Sequence, residues 1–132
     1  MKILRGVVAL LVVSASYGAF AQDCERVNGL NPLLQQWHRS LEGWRGARFL
    51  AVPSAKLDAD CSERIRTLMQ WKQALELWRR MSGRLDEPSP AVLASCRRTM
   101  ELLARWRFAI EGWYGNRFLD APDPGACRSA AR

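Results

Sequence analysis

The stretch "QWHRSLEGW", Gln36 to Trp44, returns as "QWKQALELW", Gln70 to Trp78, and as "RWRFAIEGW", Arg105 to Trp113. The shared phrase is Trp, a base, one variable residue, a small residue, Leu or Ile, Glu, one variable residue and Trp. All six tryptophans of the chain fall in it, two per copy, with the first of each pair at positions 37, 71 and 106. A spacing of 34 to 35 residues met three times predicts three equivalent helices. Tryptophans seven residues apart share one helical face, where their ordinary task is packing. The period is close to that of tetratricopeptide repeats, but that pattern places two helices in each period and has a different signature.

Capping and periodicity extend each phrase into a helix. Asn31 followed by Pro32 reads as a cap with proline at the first helical position, and Leu30, Leu34, Trp37, Leu41 and Trp44 form one stripe ending near Gly46. Asp60 with Glu63 reads as a capping box for a helix over 61–82, with Ile65, Leu68, Trp71, Leu75 and Trp78 on its apolar face and Gly83 as its stop. Ser89 and Pro90 open a third helix that carries Leu93, Cys96, Met100, Leu103, Trp106, Ile110 and Trp113 and ends near Gly115. No segment alternates with strand periodicity, and the linkers at 51–59 and 84–88 hold the Pro, Asp and Ser of loops. The fold class expected is all-α, a three-helix up-down-up bundle built on the W-x6-W repeat.

The first twenty-one residues read as a secretory signal peptide. Lys2 and Arg5 precede an apolar run from Val7 to Val13, and Ala19 and Ala21 supply a cleavage site before Gln22. The run is shorter than the roughly 20 apolar residues a membrane-spanning helix needs. The expected product is one domain over 22–132, periplasmic or secreted, with no stable membrane insertion. Removing Lys2 and Arg5 leaves eighteen basic against thirteen acidic residues, a net charge of +5. Most of the bases are arginine, but they form no dense run, and an exported chain rarely meets nucleic acid; nucleic-acid binding is not expected.

Four cysteines in an exported chain imply two disulfides. A zinc site needs closely spaced pairs, whereas Cys24, Cys61, Cys96 and Cys127 are separated by thirty-seven, thirty-five and thirty-one residues, and the chain has one histidine; no metal or other cofactor is expected. In an up-down-up bundle Cys24 and Cys96 fall at one end and Cys61 and Cys127 at the other. The expected pairs are therefore Cys24 with Cys96 and Cys61 with Cys127. Pairing neighbours requires the tail after Gly115 to retrace roughly 28 Å of helix in nearly extended form.

The first and third copies share more than the helical phrase. "LEGWRGARFLAVP", Leu41 to Pro53, matches "IEGWYGNRFLDAP", Ile110 to Pro122, and the second copy reads as lacking this tail. A glycine inside a helix costs about 0.5 to 1 kcal/mol relative to alanine. Gly43, Gly46, Gly112 and Gly115 therefore need a reason. Either they let helices approach or stop, or they clear space over Trp44 and Trp113 for a partner. Under the second reading Trp44 and Trp113 are flat platforms, Arg48 and Arg117 are forked donors for carboxylate or phosphate, and Glu42 and Glu111 orient them. Under the first, these residues tie helix ends and cap the core.

Catalysis is not expected. His38 is the sole histidine, no serine or cysteine has a base near it in sequence, and oxidised cysteines are not nucleophiles. Glu42 and Glu111 form the one carboxylate pair to consider for acid–base work, but Glu76 repeats them in the second copy, which points to a helix device. The functional expectation is an exported, non-enzymatic module that binds another envelope or exported protein, as an inhibitor or immunity-type protein. The alternatives are an accessory subunit of an envelope or secretion assembly and a carrier of a small apolar ligand.

Overall fold

A computed structural model describes residues 24–46, 48–80, 84–123, 125 and 127. The signal-peptide segment and Gly83 lie outside the described residues. The chain is all-helical, with no strand among the described residues. Its elements are α1 (Leu30–Arg45), a 3-10 turn (Ala55–Asp58), α2 (Cys61–Trp78), a short α3 (Pro90–Ala94) and α4 (Cys96–Tyr114). No described helix is long and apolar enough to cross a membrane.

The three long helices point the same way. Their first turns are gathered at one end, where Cys24 is bonded to Cys61, Val27 N–H donates to Asp58 C=O at 2.8 Å, and Glu25 N–H donates to Ala94 C=O at 2.9 Å. At the other end Tyr114 stacks against both Trp44 and Trp78, at 4.7 and 5.3 Å between ring centroids. The up-down-up expectation is thus corrected. Each long helix is followed by an irregular segment that doubles back beside it, so the next helix starts where the last one started. The segments expected as loops joining antiparallel helices have backbones hydrogen-bonded along the helices they leave.

Those bonds come from the repeated phrase. Glu42 Oε2 accepts the Phe49 and Leu50 N–H groups at 2.8 and 3.2 Å, and Glu111 Oε2 accepts those of Phe118 and Leu119 at 2.8 and 2.9 Å. Glu76 Oε2 accepts Leu85 N–H at 2.7 Å. Each glutamate therefore pins the return segment of its own helix, satisfying donors that a non-helical backbone would otherwise leave bare. The base four residues earlier supports it: His38 Nδ1 lies 3.2 Å from Glu42, Lys72 Nζ 2.9 Å from Glu76, and Arg107 Nε 3.6 Å from Glu111.

The first tryptophan of each copy reaches the neighbouring unit instead. Trp71 Nε1 donates to Ala51 C=O, Trp106 Nε1 to Asp86 C=O and Trp37 Nε1 to Asp120 C=O, at 2.8 to 2.9 Å. The second helix holds the first return segment, the third holds the second, and the first holds the third. Gln70 and Gln36 double two of these links, the former across Ala51 N–H and Phe49 C=O, the latter across Asp120 N–H and Phe118 C=O. Arg105 takes the glutamine position in the remaining copy and bonds Asp86. All three indoles are fully buried. The Cα traces of the long helices nowhere come within 8 Å of one another, so indoles and return segments fill the space that ridges and grooves fill in a close-packed bundle.

This topology explains the disulfides, which are Cys24–Cys61 and Cys96–Cys127, not the expected pairs. With parallel helices, Cys24, Cys61 and Cys96 all lie at the starting end, and the tail after Gly115 retraces α4 to bring Cys127 there too. Such retracing follows each of the three long helices. Each bridge closes a loop of about thirty to forty residues, which contributes about 4 kcal/mol in the chain-entropy model.

The capping devices divide. Asp60 caps α2 as read, accepting from Ser62 and Glu63 N–H. Asn31 does not cap α1; the carboxylate of Asp58, brought back by the return segment, accepts Asn31 N–H at 2.9 Å. Ser89 accepts from Val92 N–H, but the helix it opens breaks at Ser95, which is extended (φ −101°, ψ 129°) and caps α4 anew through Arg98 N–H. The break has a cause. Carbonyls that would continue the helix are drawn to other donors: Ala94 C=O to Glu25 N–H, and Leu93 C=O to the Arg64 guanidinium at 2.8 Å.

Arg64 is the buried cation of the starting end. It is fully enclosed and also donates to the Leu57 and Asp58 carbonyls. Burial pushes its guanidinium below the ordinary arginine range, opposed by Asp58, Asp60 and Glu25.

Candidate functional site

The opposite end, where the helices finish, carries the residues singled out from sequence. Gly46 and Gly115 terminate α1 and α4 in the left-handed conformation, at φ 76° and 71°, each bonding back to the carbonyl of its repeat glutamate. That accounts for two of the four glycines. At Gly43 and Gly112 an added Cβ would meet nothing within 4 Å, so neither is needed for close packing.

The two tryptophans of each copy have different fates. Trp37, Trp71 and Trp106 are core, whereas Trp44 is 50% exposed and Trp78 and Trp113 are half-buried. Trp44 rests on Tyr114 and Phe118, the latter at 5.4 Å, and Trp78 rests on Phe49 at 5.7 Å and on Tyr114. The result is a continuous aromatic spine across the end of the molecule, Phe49–Trp78–Tyr114–Trp44–Phe118. The first and third copies meet here, through Trp44 with Tyr114 and Phe118.

Glu42 and Glu111 are occupied with backbone N–H groups and do not orient Arg48 and Arg117. Both arginines are exposed and have no ion pair among the described residues. Arg80 and Arg84, which lie outside the duplicated phrase, are exposed at the same end and likewise have no ion pair among the described residues. Arg79 is half-buried and donates to Trp113 C=O at 3.2 Å. Part of this charge complements the carbonyl ends of three parallel helices, whose aligned dipoles leave partial negative charge there. The starting end is matched by acids, with Glu25, Asp58, Asp60 and Glu63 gathered at it.

The second copy has its own tail after all. Arg84-Leu85-Asp86-Glu87-Pro88 occupies the place of Phe49-Leu50-Ala51-Val52-Pro53 and Phe118-Leu119-Asp120-Ala121-Pro122. Leu50, Leu85 and Leu119 are all buried, and each donates its N–H to the glutamate of its copy. Leucine followed three residues later by proline was the available signal; an extra residue before it and arginine in place of phenylalanine hid it.

Two open grooves flank the first return segment. One, of about 470 Å³, lies against α1 between His38, Arg39, Glu42, Arg48, Leu50 and Val52. The other, of about 510 Å³, lies against α2 between Phe49, Ala74, Leu77, Trp78 and Arg80. No group of three or more His, Cys, Asp or Glu side chains among the described residues has the arrangement of a metal site. Comparison with known proteins finds no matching family model, no matching curated protein and no matching solved structure.

Proposed function

We propose that this chain is an exported, non-catalytic protein-binding module that engages another envelope or exported protein through the end where its helices finish. The observation that carries the reading is the half-exposed Trp44, held in place by Tyr114 and Phe118 among arginines that have no acidic partner. A large aromatic ring already fixed by its neighbours loses little conformational freedom on docking, and tryptophan and arginine are both enriched in interface hot spots. The dipole argument accounts for positive charge at this end, but it gives no reason to leave an indole in water.

Two disulfides support residence in an oxidising compartment, in keeping with the signal-peptide grammar of residues 1–21. Among exported binding modules, an inhibitor or immunity-type role fits a small, covalently stapled body with one rigid contact end. An accessory subunit of an envelope assembly is the second reading. The repeat glutamates, being committed to the backbone, are support for the site in this view and not part of its contact surface.

The test is capture by the oxidised protein, from its own envelope and culture extract, beside a variant carrying Trp44→Ala and Arg117→Ala. A partner retained by the wild type and lost by the variant, with the thermal midpoint of the variant within a few degrees of wild type, supports the reading. An equal yield from both, or nothing retained by either, overturns it.

A further inference from the structure

The threefold repetition supplies an internal control. Positions that the fold requires recur in every copy: the first tryptophan, the glutamate that pins the return segment, and the buried leucine of that segment. An exposed position that departs in a single copy is not explained by the fold. Leu77 is such a position. It follows the pinning glutamate, where the first and third copies have Gly43 and Gly112, and it is 73% exposed. Val52, on the first return segment, is 71% exposed.

Leu77 and Val52 stand on the two grooves that flank the segment Arg48–Val52, and the rims of those grooves carry Arg39, Arg48 and Arg80. None of these three arginines has an ion pair among the described residues. Lys72 is on the same helix as Leu77 but is committed to Glu76 and Glu87, at 2.9 and 3.5 Å. The acid of the α1-side groove, Glu42, is spent on two backbone N–H groups. The α2-side groove is therefore apolar in its floor, and arginines without ion pairs stand at the edges of both grooves.

From this arrangement we infer that the two grooves receive an acidic segment of a partner protein, with a leucine or phenylalanine seated against Phe49, Ala74, Leu77 and Trp78 and carboxylates on Arg80, Arg48 and Arg39. The occupant follows from complementarity. Forked guanidinium groups match carboxylate geometry in two bonds, and a groove floored by an aromatic pair takes one large apolar side chain. The inference rests on the protein-binding reading but is carried by Leu77 and Arg80, not by Trp44 and Arg117, so the two are tested by different variants.

The experiment titrates the isotopically labelled, oxidised protein with short synthetic peptides in which a leucine or phenylalanine is flanked by aspartates. The same peptides with lysine in place of aspartate, and vesicles of phosphatidylglycerol, serve as competitors for the assignment. The expected result is binding of the acidic peptides alone, with resonance shifts at Phe49, Ala74 and Trp78. Leu77→Glu and Arg80→Glu should each weaken the complex by about tenfold or more, equivalent to roughly 1.4 kcal/mol. Because Leu77 and Arg80 are solvent-facing, their variants are checked for unchanged thermal midpoints. Equal binding of the lysine peptides, shifts confined to the Trp44 face, binding to vesicles but not to peptide, or no binding at all would each overturn the inference.

Discussion

Replacing Glu111 by alanine tests the account of the fold at its most repeated element. One oxygen of that carboxylate accepts Phe118 N–H at 2.8 Å and Leu119 N–H at 2.9 Å, in a side chain only 10% exposed. A hydrogen bond to a charged group contributes about 1.5 to 3 kcal/mol when its removal leaves the partner unsatisfied. Two such bonds at the lower figure give about 3 kcal/mol, and for a domain of this size about 4 °C accompanies each kcal/mol, so the thermal midpoint should fall by about 12 °C. Glu42→Ala should lose about as much, because Glu42 accepts the same pair of groups. Glu76 accepts one backbone N–H and should lose about half. Glu111→Gln keeps a neutral acceptor in place and should recover roughly half of the loss, since charged hydrogen bonds are about twice as strong as neutral ones. The assay is thermal unfolding followed by far-ultraviolet circular dichroism on the oxidised proteins. A midpoint for Glu111→Ala within two or three degrees of wild type would refute the claim that the glutamate pins the return segment.

Other outcomes follow from the same structure. Gly43→Ala and Gly112→Ala meet open space within helices, so each should raise stability by about 0.5 to 1 kcal/mol, seen as a midpoint higher by about 2 to 4 °C; a fall would show that these positions are constrained in the folded protein. Digestion without reductant, followed by mass spectrometry, should yield peptides joined through Cys24 and Cys61 and through Cys96 and Cys127, with no cross-pairs. The hydrogen bond to Glu76, with help from Glu87, raises the Lys72 ammonium above its ordinary 10.5. Its contribution to stability is therefore complete below that value and lost as pH rises through the folded one, and Lys72→Met should flatten the alkaline decline in unfolding free energy measured by urea titration.

The helices were legible because each signal was local. Tryptophan spacing, the Asp60 cap and the terminal glycines act within a turn or two of the residues they organise. Direction was not legible, because what sets it is long-range. Glu42 has the spacing of helix-surface charge, yet it accepts from Phe49 and Leu50 beyond the helix, and Trp37 finds its acceptor eighty-three residues away at Asp120. The disulfide pairing depends on direction in turn: antiparallel helices would set Cys24 beside Cys96, whereas parallel ones set it beside Cys61. Ser95 broke the third helix for a related reason: Glu25 and Arg64, distant in sequence, take carbonyls that periodicity alone assigns to the helix. Of the candidate site, the likeness of the first and third tails was readable, but their convergence depends on the direction of the helices. The arginines of the second copy were missed with its disguised tail.

The order in which helices clasp return segments also limits what this architecture can become. In an open array each unit leans on the next, and the terminal units need special faces to cover what has no neighbour. Here the last return segment is held by the first helix, through Trp37 and Gln36, so no unit is terminal. A fourth copy has no vacant helix to receive it, and loss of any copy strands both of its neighbours. The ring of clasps is closed at three, and residues near the two described extremes of the chain are as interior to its cooperativity as those in the middle.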